Sequence, residues 1–305
     1  MKTLLVVDGN AMMHRAYHAL PPFKTKSGTP TNVVYGFFSM LQKAIVDFKP
    51  THVMICFDTP EQTFRNKLYK KYQAQRPSID DEFKVQIPNV KKALDVSGIF
   101  RIEKEGYEAD DLIGTVTRRA QSKHMRVLIL TGDRDIMQLV DDSVFVVTPQ
   151  KGLSNMQVVG KDEVVKKFNI PAEKIPDFKA LMGDPSDNYS GAKGIGPKTA
   201  GKLLQKYESI EHLYKHLGEL EEKTRRLLIE HKEHVLLSKK LATIITDVPI
   251  DLTMDATQFV AFNPELKEFF LSLEMRSLAE RLFEEKKPIV EKTVGKKTEP
   301  QMNLF

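Results

Sequence analysis

Three short apolar runs rich in β-branched residues, at 3–7, 52–57 and 127–130, are separated by helix-length amphipathic stretches such as 33–48 and 109–123. That alternation predicts an α/β fold, a mostly parallel sheet flanked by helices. From Pro171 the strand signals fade and helical periods dominate through Arg281, so a second, helical lobe is expected over 171–283, after a core over 1–170. Residues 62–88 differ from both: Arg65, Lys67, Lys70, Lys71, Arg76 and Lys84 are interleaved with Phe64, Tyr69, Tyr72 and Phe83. Such a stretch reads as a solvated element that meets phosphates, although an ordinary charged helix face has the same spacing. The 284–305 tail is rich in Lys, Glu, Thr and Pro up to Pro300 and reads as a flexible linker.

The apolar runs lead to the chemistry. Two end directly on an acid, Asp8 and Asp58, and the third reaches Asp133 after Thr131-Gly132. Ligands of open α/β sheets bind beyond the carboxyl ends of the strands, so these acids are expected to converge at one edge. Further acids stand in tight groups: Glu108-Ala109-Asp110-Asp111, Asp133-Arg134-Asp135 and Asp184-Pro185-Ser186-Asp187-Asn188. Like charges gathered this closely repel and need a counter-charge. Carboxylate oxygens without His or Cys partners favour Mg²⁺ or Mn²⁺ over Zn²⁺. Any one group could instead serve a helix N-terminus or a turn; all of them together with Asp8 and Asp58 point to a metal site.

A second motif follows at once: Gly191-Ala192-Lys193-Gly194-Ile195-Gly196-Pro197-Lys198-Thr199-Ala200. A Gly-Ile-Gly turn opening a helix at Pro197 exposes backbone N–H groups, which with Lys193, Lys198 and Lys202 can grip a phosphate without reading sequence. This is the pattern of a helix-hairpin-helix, expected over about 183–207.

Composition sharpens this picture. The 305 residues are 41% hydrophobic and 29% charged, within the range of ordinary globular chains. The single cysteine, Cys56, excludes an internal disulfide and a Cys-rich zinc site, and its apolar neighbours mark it as a buried hydrophobe. No apolar run reaches the ~18 residues of a membrane span, and Met1-Lys2 leads straight into the first run; no membrane partner and a cytoplasmic, nucleoid-associated location are expected. The net charge of +5 hides a strongly basic remainder once the clustered acids are set aside. Lysines and arginines that hold phosphates beside acids that hold cations suit an enzyme that cleaves a polyanion.

These residues resemble the 5′-nuclease family: flap endonucleases and the 5′→3′ exonuclease domain of bacterial DNA polymerase I. The resemblance runs from about Met1 to Arg281, through Val-Val-Asp8-Gly-Asn, Phe57-Asp58, Phe64-Arg65 with Tyr72 and Arg76, Gly-Tyr-Glu108-Ala-Asp110-Asp111, Thr-Gly-Asp133-Arg-Asp135, Gly-Asp184-Pro-Ser-Asp187-Asn188 and the Gly-Ile-Gly-Pro-Lys hairpin. It implies a PIN-like core with a helical arch (about 62–98) over the site and a duplex-binding helix-hairpin-helix lobe. It implies two Mg²⁺ ions, replaceable by Mn²⁺, with K⁺ at the helix-hairpin-helix, and a monomeric enzyme whose substrates would be DNA flaps, nicks or 5′ ends in replication and repair, including Okazaki primer removal. By position, Asp8, Asp58, Glu108, Asp110, Asp111, Asp133 and Asp135 would bind or support metal on the core side, and Asp184 and Asp187 on the other. Arg76 would join catalysis, and Arg65, Lys70, Lys71, Tyr72, Arg76, Lys193, Gly194, Gly196, Lys198 and Lys202 would touch DNA, Tyr72 by stacking on a base.

One position departs from the family motif. A lysine usually follows the tyrosine equivalent to Tyr72, where this chain has Gln73. Loss of a donor at a developing charge can cost ~3 kcal/mol, roughly a hundredfold in rate. Compensation by Lys70, Lys71 or Arg76 is expected; the alternative is a structure-specific DNA-binding protein with weakened catalysis. Finally, Gln301-Met302-Asn303-Leu304-Phe305 resembles the box with which bacterial replication proteins dock on the sliding clamp, Gln301, Leu304 and Phe305 being its contact residues.

Overall fold

The computed structural model describes residues 1–76, 80–150, 152–153 and 155–283. The expected linker and the Gln301, Leu304 and Phe305 box lie outside the described residues.

The chain begins β1 (Thr3–Asp8), α1 (Gly9–Ala19), α2 (Asn32–Phe48), β2 (His52–Phe57), α3 (Phe64–Leu68), α4 (Asp81–Lys84), α5 (Ile87–Ser97), β3 (Phe100–Glu103), α6 (Ala109–Gln121) and β4 (Arg126–Leu130). After a 3-10 turn (Asp135–Leu139) come β5 (Val144–Pro149), β6 (Met156–Val159) and α7 (Lys161–Phe168). The six strands form one sheet in the order β3-β2-β1-β4-β5-β6, parallel except for β6. The strand order reverses between β1 and β4, and a crevice opens at the carboxyl ends of strands at such a point. Asp8 ends β1 there, and Asp58 and Asp133 follow β2 and β4 nearby.

Strand side chains alternate between faces, and both faces are buried. Leu4, Val6, Met54, Cys56, Val127 and Ile129 meet Leu112, Ile113 and Val116 of α6. Leu5, Val7, Val53, Ile55, Leu128 and Leu130 meet Phe37, Phe38 and Leu41 of α2 and Val90 and Leu94 of α5. Cys56 is buried, as its neighbours predict. In the expected arch, the described residues form two short helices, α3 and α4, joined by turns, whereas α5 belongs to the core.

The rest is helical, apart from one small hairpin: α8 (Ile175–Met182), β7 (Gly183–Asp184), β8 (Tyr189–Ser190), α9 (Pro197–Lys206), α10 (Ile210–Lys215), α11 (Glu222–Glu230), α12 (Lys232–Ala242), α13 (Glu265–Ser272) and α14 (Arg276–Phe283). Leu181, Ala200, Leu204 and Leu228 continue the α6 face of the core rather than forming one of their own. The expected lobe over 171–283 needs one correction. α13 and α14 return to the helix layer on the far face of the sheet, where Leu266, Phe270 and Leu278 pack with α2 and α5, because their apolar stripes close over the buried side chains of those two helices. Among the described residues no helix is long and apolar enough to cross a membrane.

Candidate metal centre

The acids meet in a cleft of about 410 Å³ lined by Asp8, Asp58, Glu108, Asp110, Asp133, Asp135 and Asp187. Local structure explains how each is held. Asp8 caps α1: one oxygen accepts the Ala11 N–H at 2.9 Å and the other the Thr131 hydroxyl at 2.7 Å. The next residue must be small, since a Cβ on Gly9 would lie 2.3 Å from the Phe57 ring, so α1 starts pressed against β2. Asp58 accepts the Ala109 N–H at 2.7 Å, tying the end of β2 to the first turn of α6. The Asp135 N–H donates to Asp133 at 2.8 Å, and the Asp133 N–H donates to Thr131 at 3.0 Å.

A second set overlaps the first. One oxygen from each of Asp135, Asp184 and Asp187 lies within 4.8 Å of the others. Asp184 and Asp187 come from the hairpin after α8, whose sharp entry needs Gly183 at φ +78°; a Cβ there would stand 2.5 Å from the Gly191 nitrogen. Lys179 of α8 bridges Asp135 and Asp184. Asp187 accepts from Arg76 at 2.7 Å, Gln73 at 3.1 Å and Tyr72 at 3.4 Å.

The electrostatics of the two sets differ. Burial, reinforced by Asp58 and Asp133, pushes the Asp8 carboxyl up to about 7. Burial also holds Asp110 well above the ordinary carboxylate range, with Asp133, Asp8 and Asp58 adding repulsion. Glu108 is pushed up to about 7 by burial, against the pull of Arg65. Asp135 reaches only about 6: burial and Asp133 raise it, while Lys179 opposes them. At Asp184 burial acts upward but loses to the hydrogen bonds from Lys179 and Ser186, so its carboxyl falls below the ordinary value. An all-carboxylate donor set kept partly protonated by burial and, less, by its own repulsion fits hard divalent cations, which would replace those protons.

Three expected contact residues have other work. Asp111 is fully buried and already accepts four hydrogen bonds: from Arg65 Nη1 and Nη2 at 2.7 and 2.8 Å, the Ile245 N–H at 2.9 Å and the Glu108 N–H at 3.1 Å. It follows Asp110 on α6, and a helical step of about 100° turns it away from the cleft. Arg65 is only 2% exposed; it also donates to the carbonyls of Leu241 at 2.8 Å and Thr243 at 2.9 Å, so it braces α6 against the end of α12 rather than meeting DNA. Tyr72 is 5% exposed with its ring stacked toward Tyr189, and only its hydroxyl reaches the acids, Glu108 at 3.2 Å among them. Its face is not free for a base.

Around position 73 the chain adopts a left-handed turn, φ +54° at Gln73, whose backbone N–H also donates to the Asp187 carbonyl at 2.9 Å. Arg76 lines the cleft; Lys70 and Lys71 are exposed and do not. On the hairpin, Lys193, Gly194, Gly196, Lys198 and Lys202 are all exposed, with Gly194 at φ +95° and Gly196 capping α9. The motifs did not single out Lys179, Asn10 or Thr131 as functional. Asn10 accepts the Asp58 N–H at 3.1 Å, and Thr131 lies inside the Thr-Gly-Asp motif. Lys179 sits in an ordinary amphipathic helix and leaves no local signal.

Comparison with known proteins agrees with this geometry. Residues 3–169 match the family model "5′-3′ exonuclease, N-terminal resolvase-like domain", and residues 170–265 match "5′-3′ exonuclease, C-terminal SAM fold". A 5′-3′ exonuclease of Aquifex aeolicus is 40% identical over 279 residues, covering 91% of this chain and 94% of that one. DNA polymerase I of Bacillus subtilis is 39% identical over 286 residues, 93% of this chain but 32% of the polymerase, so the chain spans about a third of such relatives. Among solved structures, a bacteriophage T5 flap endonuclease in a pseudo-enzyme-product complex with DNA and metal ions shares the fold, with TM-score 0.66 and 17% identity over 92% of this chain and 98% of that one. Both matching models and the full-length similarity to the Aquifex protein place the chain in the 5′-3′ exonuclease family.

Proposed function

We propose that the chain is a structure-specific 5′→3′ exonuclease and flap endonuclease that hydrolyses DNA phosphodiesters with two divalent cations, Mg²⁺ foremost, in replication and repair. The observation that carries this reading is the convergence of acids from five separate segments in one cleft, with Asp135 and Asp187 belonging to both of its carboxylate sets. Asp8, Asp58, Asp110 and Asp133 would hold one cation, and Asp135, Asp184 and Asp187 a second. Such ions would supply activation of water and charge neutralisation at the departing 3′ oxygen.

The chain's own residues do the rest. Arg76 lines the cleft beside Asp187, and its guanidinium would supply the positive charge that the family motif's lysine gives at the position of Gln73. Gln73 and the Tyr72 hydroxyl keep Asp187 oriented, and Lys179 sets the spacing of Asp135 and Asp184. The exposed amides and lysines of the 193–202 hairpin suit sequence-independent contact with duplex phosphates. The Gln301-to-Phe305 motif supports docking on a sliding clamp.

Cleavage of a 5′-flapped DNA in Mg²⁺ tests the reading, beside the Asp184→Ala/Asp187→Ala variant. Wild type should cut near the flap junction, and the variant should lose at least about a hundredfold in rate. Equal inertness of both proteins at saturating binding would leave a DNA-binding protein with lost catalysis.

A further inference from the structure

A second cleft, of about 700 Å³, adjoins the metal centre. The two share the loop after β4: Asp133 and Asp135 line the metal cleft, whereas Gly132 and Arg134 line this one. Its other walls are the end of β5, α7 with Lys166 and Lys167, and Arg15 from α1. Four cationic side chains therefore face one space.

Among the described residues none of the four is in an ion pair. The Arg15 guanidinium donates to the carbonyls of Gln150 and Gly152, which orients it without neutralising it, and its buried Nε meets no partner among the described residues. Arg134, Lys166 and Lys167 are exposed. The Lys167 amine lies 4.0 Å from the Met137 sulfur. Burial and the like charge of Arg134 lower the Lys167 amine below its ordinary value.

Two acids also line the cleft, Asp162 and Glu163, in the first turn of α7. Glu163 is engaged by the Gly160 N–H at 2.8 Å, so it cannot turn to the lysines without giving up that cap. Lysines in the last turn of α7 do complement its dipole, but that weak effect leaves Arg15 and Arg134 unexplained. Beside a phosphodiester-cleaving site, a group of cations that no carboxylate pairs among the described residues fits a bound anion.

We propose that this cleft is a backbone-tracking subsite: Arg15, Arg134, Lys166 and Lys167 grip successive phosphates of the nucleic-acid strand that runs out of the metal cleft past the 132–134 loop. The proposal rests on the nuclease reading above. The apolar side chains of Met137, Pro149 and Val159 form a floor that contacts sugars and bases without hydrogen-bond readout, so the grip is independent of sequence.

Equilibrium binding of a labelled 5′-flapped DNA across a salt series, with Ca²⁺ present, tests it on the full chain. The Arg134→Ala/Lys167→Ala variant should bind about tenfold more weakly, with a slope of log K against log salt shallower by roughly 1.5, the value for two lost phosphate contacts. The Arg134→Lys/Lys167→Arg variant should recover most of both. Wild-type affinity and slope in the alanine variant would overturn the proposal, provided wild type binds and cuts the flap; if wild type does neither, the nuclease reading itself has failed. Inorganic phosphate is the second arm. Thermal protection by phosphate that the alanine variant lacks, with DNA binding unchanged, would also overturn it and leave a small-anion site.

Discussion

The two carboxylate sets of the metal centre are built from the same residue type and solve the same repulsion in different ways. Asp8, Asp58 and Asp110 stand at strand ends and a helix start, the first two held by backbone N–H groups and a hydroxyl, and burial drives all three carboxyls upward. Asp184 and Asp187 sit on a hairpin from the helical region, and side-chain cations reach them: Lys179 in one case and Arg76 in the other. The core set therefore depends on protons or bound cations for its neutrality. The hairpin set carries its own counter-charges and is positioned before any ion arrives.

That contrast can be broken by substitution. Asp110→Asn should cost the most activity, about a thousandfold or ~4 kcal/mol of barrier, yet the metal-free variant should melt higher than wild type because a buried, repelled acid has gone. Asp187→Asn should also slow cleavage but melt lower, since Arg76, Gln73 and Tyr72 lose their acceptor. Melting shifts of the same sign, read by calorimetry in EDTA, would erase the distinction. The buried Arg65–Asp111 pair belongs to neither set. Removing one partner of such a pair costs about 3–5 kcal/mol, so Arg65→Ala should lower the melting temperature sharply while leaving the salt dependence of DNA binding as it is. A shallower salt slope would return Arg65 to the DNA-contacting residues.

The smallest effect is on pH. Asp8 and Glu108 are pushed up to about 7 and Asp135 to about 6 in the folded chain, against about 4 for unfolded carboxyls. Between those limits the folded state holds more protons than the unfolded one, so this contribution is complete below pH ~4 and is lost as pH rises through about 7. Metal-free protein should accordingly lose several degrees of melting temperature across that window, and Mg²⁺ should flatten the trend. A trend unchanged by Mg²⁺, or by Asp8→Asn, would mean that the core acids are not its source.

Much of this was legible in the chain. The apolar runs at 3–7, 52–57 and 127–130 became the three central strands, and their ends carry or precede Asp8, Asp58 and Asp133. Those features are local, as is the Gly-Ile-Gly-Pro opening of α9. β3, β5 and β6 were missed: β3 is only partly buried and β6 is half exposed, so neither makes a continuous apolar run. Asp110 and Asp111 look alike in a motif, although adjacent helical positions face different directions. One points into the cleft and the other into Arg65.

Local sequence determined which acids stand at strand ends, where the Gly-Ile-Gly turn opens α9 and that the gathered acids need a counter-charge, because hydrophobic periodicity and charge density are written residue by residue. Only the tertiary structure decided the partners: Arg65 drawn inward to Asp111, Tyr72 closed against Tyr189, Lys179 set between Asp135 and Asp184, and α13–α14 folded back onto the far face of the sheet. Each is a contact between distant segments, and its side chain is spent on whichever neighbour packing delivers; no pattern within a single segment encodes that choice.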